Sequence, residues 1–245
     1  MKKSSKIMKR STVPASRSPR NRGALGLAHQ HILSRITKGE LPAGAAISEL
    51  SLAAELGISR TPVREALGQL IAEGMLQRSS RGAVVTQLTR QDIIELYDVR
   101  QALEVHSIGK VAERRLSPRI MEPLSTLVEE VRAVTEELKK SGKPALEGDA
   151  LRRFVNADMR FHLLLLQAGG NQRMFKILDS TSVLLQIFSL RRKDHTVRLL
   201  TEVHSFHRRI LDSVAKGSKT EAMQRLSEHI QVSLEERLAE YEDPR

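Results

Sequence analysis

The sequence predicts a mainly α protein in two units, a small N-terminal one of three helices with a hairpin, then an all-α bundle of about six helices. Three observations carry this. Aromatic residues make up only 3 % of the 245, and Leu, Ala, Ile and Val supply the apolar content, which favours packed helices over a large sheet. Apolar residues recur at helical spacing through most of the chain beyond residue 24, and the only strand-like pattern is a short pair of segments between residues 75 and 88. The length suffices for two separate cores.

The first 24 residues hold eight Lys or Arg and no acid, whereas the rest of the chain is close to neutral, so most of the net charge of +11 sits at the N-terminus. Such an arm suits a polyanion such as DNA, through release of counterions, or serves as a disordered solubilising tail; its Ser, Pro, Lys and Arg cannot bury a core. Cys is absent, which excludes disulfides, thiolate metal sites and a cysteine nucleophile. No apolar segment follows the basic start and none approaches a membrane span, so a cytoplasmic protein without a membrane partner is expected.

Residues 25–88 read as the first folded unit. Leu25, Ala28, Ile32, Leu33 and Ile36 stripe a first helix that Gly39 closes. After the Leu41-Pro42-Ala43-Gly44 turn, Ser48 and Glu49 suit the start of a short second helix that ends at Leu56. Gly57-Ile58-Ser59 is a tight connection, with Ser59 placed to cap a third helix beginning at Arg60. Pro62 is tolerated in that first turn, and Val63, Ala66, Leu67, Leu70 and Ile71 form the inner face up to Gly74.

The opposite face of the third helix presents Arg60, Thr61 and Arg64. Two helices joined by a Gly-containing turn, the second with Arg at its exposed start, meet the requirements of a recognition helix in a DNA major groove. Arginine can pair its fork with guanine O6 and N7 or fix a phosphate. Met75–Arg78 and Ala83–Leu88 flank Ser79-Ser80-Arg81-Gly82 as a hairpin with a basic tip, a wing whose Arg81 reaches a phosphate or the minor groove. Any one of these arginines alone reads first as an ordinary solvated charge; the arrangement as a whole carries the DNA-binding reading.

The run ISRTPVREALGQLIAEGML followed by RGAVVTQL resembles the DNA-binding domain of GntR-type transcriptional regulators. The resemblance spans residues 25–88 and implies a winged helix-turn-helix, with operator-contacting arginines at Arg60 and Arg64 and the wing-tip glycine at Gly82. It departs at Leu50, where relatives carry a basic or polar residue, and at Gly68, where they carry Arg.

From residue 89 to 245, about six helical stretches are separated by breaks at Leu116-Ser117-Pro118, Ser141 to Pro144, Gly169-Gly170-Asn171, Arg191 to Thr196 and Lys216-Gly217-Ser218. Thr89 and Asp92 form a capping box. Leu151, Phe154, Val155, Asp158, Phe161, His162 and Leu165 share one stripe, so Asp158 and His162 sit one turn apart and face inward. His207 and His229 fall on the inward stripes of two later helices. A buried carboxylate needs a positive neighbour. A divalent cation held by Asp158, His162, His207 and His229 meets that need, zinc first, with nickel or manganese as alternatives. Core histidines paired with carboxylates are the plainer reading.

This half is similar to the FCD ligand-binding domain of the FadR-like subgroup of those regulators. The resemblance implies an all-α bundle, often with a metal held by an Asp and three His, which map to the same four residues. Relatives often have Glu immediately before the first of the later histidines; this chain has Phe206, and His204 is a second candidate for His207's place. Arg100 shares a stripe with Ile93, Leu96, Tyr97 and Leu103, so its guanidinium faces inward, toward Glu104 or toward the carboxylate of an effector. Asn171 is a further effector candidate, or simply a turn residue.

The expected function is therefore a ligand-responsive, homodimeric regulator that binds an inverted repeat in double-stranded DNA and answers to a small organic acid. A metal-dependent hydrolase is the enzyme alternative, but neither an HExxH pattern nor a nucleophile motif appears, and no catalysis is expected. A nonspecific DNA-binding protein driven by its basic arm is the other.

Overall fold

The computed structural model describes residues 19–80, 82–114, 116–191 and 194–242. Arg81 and most of the basic arm lie outside the described residues. Nine helices and one three-stranded sheet occur among those that are described: α1 (Pro19–Thr37), β1 (Ala46–Ser48), α2 (Glu49–Leu56), α3 (Arg60–Ala72), β2 (Leu76–Ser79), β3 (Gly82–Val85), α4 (Arg90–Arg114), α5 (Pro118–Ser141), α6 (Gly148–Ala168), α7 (Gln172–Arg191), α8 (Val197–Lys216) and α9 (Lys219–Glu242). The protein is mainly α, a winged helix-turn-helix followed by a helical domain of six helices among the described residues.

In the N-terminal unit, Ala28, Ile32 and Ile36 of α1 close over Val63, Ala66, Leu67 and Leu70 of α3. Full burial of each large aliphatic side chain contributes roughly 1.5–3 kcal/mol, which is what holds α3 with its polar face outward. Ser48 caps α2 by accepting a hydrogen bond from the Ser51 amide (3.4 Å). Ser59 stands at the cap position of α3 in extended conformation, but its side chain makes no capping bond, so its expected role as a side-chain cap is not realised. Helix α1 begins at Pro19, inside the segment expected to be an arm.

The sheet is antiparallel in the order β1-β3-β2, with Ser48 opposite Gly82 and Ser79 opposite Gly82 on the other side. Strand β1 was not expected from the sequence; three residues are too short to display alternation, and the strand exists because β3 pairs with it. Gly82 is required where it stands. Its φ is +142°, and a Cβ there would lie 2.3 Å from the Ile47 carbonyl oxygen.

The capping box at the start of α4 is present, with the Thr89 amide donating to Asp92 Oδ2 (2.7 Å) and the Asp92 amide to Thr89 Oγ1 (3.1 Å). Helix α4 runs through the bundle core, where Ile93, Tyr97, Ile108 and Val111 meet Phe161 and Leu165 of α6 and Ile210 of α8. Helix α7 touches both units. Val183 and Leu184 pack against the N-terminal core, whereas Leu185 belongs to the bundle core.

Candidate DNA-binding face and metal centre

The start of α3 presents Arg60, Thr61 and Arg64 to solvent, with Ser59 ahead of them and Gly68 one turn beyond. Both arginines converge on Glu49, the first residue of α2. Arg64 donates from Nε to both carboxylate oxygens (3.1 Å each) and from Nη2 to Oε2 (2.9 Å), and Arg60 Nη2 donates to Oε2 (3.3 Å). The hydrogen bond from Arg64 holds the Glu49 carboxyl below its usual range, against the opposing effect of partial burial. Leu50, next to Glu49, is 66 % exposed, an apolar side chain on an otherwise polar face.

The second constellation lies inside the bundle. Asp158 and His162 come from successive turns of α6, His207 from α8 and His229 from α9, and one ligand atom from each lies within 4.8 Å of all the others. The three histidines are fully buried, and Asp158 is partly so. His229 Nε2 stands 3.2 Å from His162 Nε2 and 3.2 Å from His207 Nε2, and Asp158 Oδ1 lies 3.5 Å from His207 Nε2. A neutral imidazole nitrogen offers either one proton or one lone pair, so His229 Nε2 cannot be a good hydrogen-bond partner to both neighbours. Lone pairs converging about 3 Å apart are instead what ligation at roughly 2.0–2.1 Å from a common cation requires. The donor set fits a divalent cation.

Burial, reinforced by the neighbouring cationic groups, pushes the His207 and His229 imidazoles well below their ordinary pKa, keeping them in the neutral, ligating form. Phe161 stacks on His207 with ring centroids 3.9 Å apart, which fixes the ring plane. His204, the alternative to His207, lies outside the cluster, near Glu129 and Arg208.

Glu104 joins this cluster to Arg100. Its Oε2 accepts from His162 Nδ1 (2.6 Å), which leaves the Nε2 lone pair turned to the cluster, and its Oε1 accepts from Arg100 Nε (2.8 Å). Burial works against the charge on both partners. Arg100 and His162 nevertheless hold the Glu104 carboxyl at about 2, and Glu104 raises the pKa of Arg100. Arg100 is thus buried as expected and takes the Glu104 pairing. Its Nη2 is buried without a hydrogen-bond partner, a donor with no acceptor in the protein.

The role of Glu104 as a bridge was not legible in the sequence beyond its place one turn after Arg100. A cavity of about 30 Å³ adjoins Asp158, walled by Phe154, Ser189, His195, Ser233 and Arg237. Asn171 is not among its lining. It is exposed and its Oδ1 accepts from the Arg173 and Met174 amides (3.1 and 3.3 Å), which caps the start of α7.

A winged helix-turn-helix joined to a helical bundle defines a DNA-binding regulator as the class of protein. Residues 28–85 match the model of bacterial regulatory proteins of the gntR family, and residues 95–232 match the FCD domain. The chain is 31 % identical over 201 residues to a probable D-xylose utilization operon transcriptional repressor of Paenarthrobacter nicotinovorans, covering 81 % of this chain and 82 % of that one. It is 31 % identical over 179 residues to the gluconate operon transcriptional repressor of Bacillus subtilis, covering 73 % and 68 %. Among solved structures it shares the fold of E. coli McbR/YncC, with a TM-score of 0.72 at 20 % identity over 89 % of this chain and 98 % of that one.

The protein belongs to the gntR family of bacterial transcriptional regulators and carries an FCD domain. Its relatives are regulators and not enzymes, and so is this chain. Among the described residues no helix is long and apolar enough to cross a membrane.

Proposed function

We propose that the protein is a homodimeric regulator whose two α3 helices read an inverted repeat, and whose operator affinity is set by a small carboxylate bound beside a metal in the FCD domain. The observation that carries the sensory half is the convergence of three imidazole Nε2 atoms and Asp158 one bridge away from the unmatched Nη2 of buried Arg100. A buried guanidinium donor without an acceptor favours an anionic ligand, and a carboxylate matches its geometry. The gluconate operon repressor among the relatives is named for the operon of a hydroxycarboxylate, in keeping with that chemistry.

Asp158, His162, His207 and His229 hold the cation, zinc in the first instance, with nickel or manganese as alternatives. When bound, it supplies a Lewis-acid site for an effector's oxygens. Glu104 orients His162 and Arg100 together, so the metal ligand and the anion clamp share one anchor. The adjoining cavity, about 30 Å³, holds little more than a water molecule, so an effector selects a more open arrangement of the surrounding helices. Helix α7 is placed to pass that change on. It contributes Ser189 to the cavity wall and Val183 and Leu184 to the core behind α3, alongside the linker at residues 88–90.

At the DNA, Arg60 and Arg64 are the readers, Ser59 and Thr61 contact phosphate at the helix N-terminus, and the wing around Gly82, with Arg81, reaches the flanking backbone or minor groove. Dimerisation follows from geometry, since one such unit covers a half-site.

The test is operator retention in the presence of small carboxylates, screened on the wild type and on Arg100→Ala. The wild type is expected to change its operator affinity with at least one of them, and Arg100→Ala to keep operator binding but lose that response. An identical response from both would remove Arg100 from the effector site.

A further inference from the structure

The pairing of Glu49 with the two reading arginines joins residues from separate elements, and each is held in place by its own backbone. Glu49 opens α2, directly after Ser48, which both caps that helix and pairs with Gly82 of β3. A Cβ on Gly82 would lie 3.5 Å from the Glu49 amide nitrogen, so wing and carboxylate are mounted on the same piece of backbone. Glu49 is also the less exposed partner, its side chain 19 % accessible against 64 % for Arg64. The more buried carboxylate, mounted on the start of α2, is the one placed to position the more exposed guanidinium.

The contacts use a particular edge of Arg64. Nε and Nη2 donate to Glu49, which leaves the outer edge, formed by Nη1 and the second proton of Nη2, turned away from the carboxylate. That outer edge is the fork that pairs with guanine O6 and N7. We infer that Glu49 is a specificity-determining positioning residue, holding Arg64 by its inner edge so that the outer edge is presented to one guanine in each half-site. This rests on the reading of Arg64 as a base reader.

The carboxylate has a second effect through its charge. Standing at the protein face that meets DNA, it repels phosphates, so it disfavours loose, sequence-independent contacts of Arg60 and Arg64 with the backbone. The same residue thereby strengthens the guanine contact and weakens its competitor. A purely structural surface ion pair would do neither, since exposed pairs of this kind add little to stability.

The test begins by selecting a binding duplex from a random-sequence pool with the wild-type protein. Affinities are then measured on that duplex and on a scrambled duplex of equal composition, for the wild type, Glu49→Gln, Glu49→Ala, Arg64→Ala and the Glu49→Ala/Arg64→Ala double variant. Urea unfolding checks that each is folded, and Glu49→Gln keeps the side-chain volume if Glu49→Ala does not fold.

Arg64→Ala is expected to weaken binding to the selected duplex by roughly 5- to 150-fold, the range of one bidentate base contact. Both Glu49 variants are expected to lower the selected-to-scrambled ratio by about 3- to 10-fold, with scrambled binding unchanged or tighter. Glu49→Ala is expected to add no loss of ratio in the Arg64→Ala background. Replacing the contacted guanine by 7-deazaguanine is expected to cost the wild type more than Glu49→Gln. If Arg64→Ala lowers the ratio and the Glu49 variants keep or raise it, the positioning role is overturned while the reader stands. If Arg64→Ala leaves the ratio unchanged, both readings fall.

Discussion

Two carboxylates in this protein do the same thing in opposite surroundings. Glu49 receives Arg60 and Arg64 at the surface; Glu104 receives Arg100 and His162 in the interior of the bundle. In water the first network is screened and exchangeable, which suits a face proposed to trade its partners for phosphates and bases. In the buried bundle core the loss of one member leaves another uncompensated, and in the proposed function the acceptor missing at Arg100 Nη2 is supplied by the effector. Exposure, rather than residue type, separates the part that exchanges partners from the part that holds them.

The largest effect is expected where the network is buried. Glu104→Ala leaves Arg100 charged and unpaired and frees His162 to turn; a loss of about 3–5 kcal/mol in urea unfolding and a 10- to 100-fold loss of zinc affinity in a chelator competition are expected. An equally stable variant would mean that solvent reaches Glu104. Gly82→Ala comes next. Its Cβ meets the Ile47 carbonyl, and a cost on the order of 2 kcal/mol is expected, with weakened DNA binding because the wing shifts.

The same comparison predicts how the metal-free protein answers to acid. His207 and His229 refuse in the folded state a proton that they accept below their ordinary pKa of 6.5 once unfolded, so stability falls as pH drops below that value. Glu104, held at about 2 against 4.5, contributes stability that is complete above 4.5 and is lost as pH falls toward 2. The urea midpoint of the chelated protein is therefore expected to fall between pH 7 and 5, and less steeply in His207→Asn. A flat profile in that window would place the histidines in contact with water.

The smallest effect is expected at the surface. Leu50→Arg adds one cation beside the recognition helix and is expected to steepen the salt dependence of DNA binding by about one unit while moving stability by less than about 0.5 kcal/mol. An unchanged salt slope would show that the start of α2 stands away from the phosphates.

Much of this architecture was legible in the residues, and for a common reason. Asp158, His162, His207 and His229 could be placed together because each lies on the apolar stripe of its own helix, and inward stripes of a bundle have only one another to face. Arg60 and Arg64 were readable from the opposite rule, as the polar side of a helix whose other face is buried.

What periodicity cannot convey is which side chain answers across the gap between elements. Glu49 is four helical turns of sequence away from Arg64 and meets it only because the helix-turn-helix folds back. Glu104 was visible as a neighbour of Arg100 on α4, but its second bond reaches His162 on α6. Strand β1 and the packing of Val183 and Leu184 behind α3 are likewise products of tertiary contact.

The proposed effector control depends most on the cation. Purified wild-type protein and His229→Ala, both folded and dialysed against a weak chelator, can be compared by elemental analysis. The wild type is expected to retain an equimolar divalent metal, zinc foremost, and His229→Ala to lose nearly all of it. Equal metal content in the two, or none in the wild type even after zinc is supplied, would contradict a metal centre at Asp158, His162, His207 and His229.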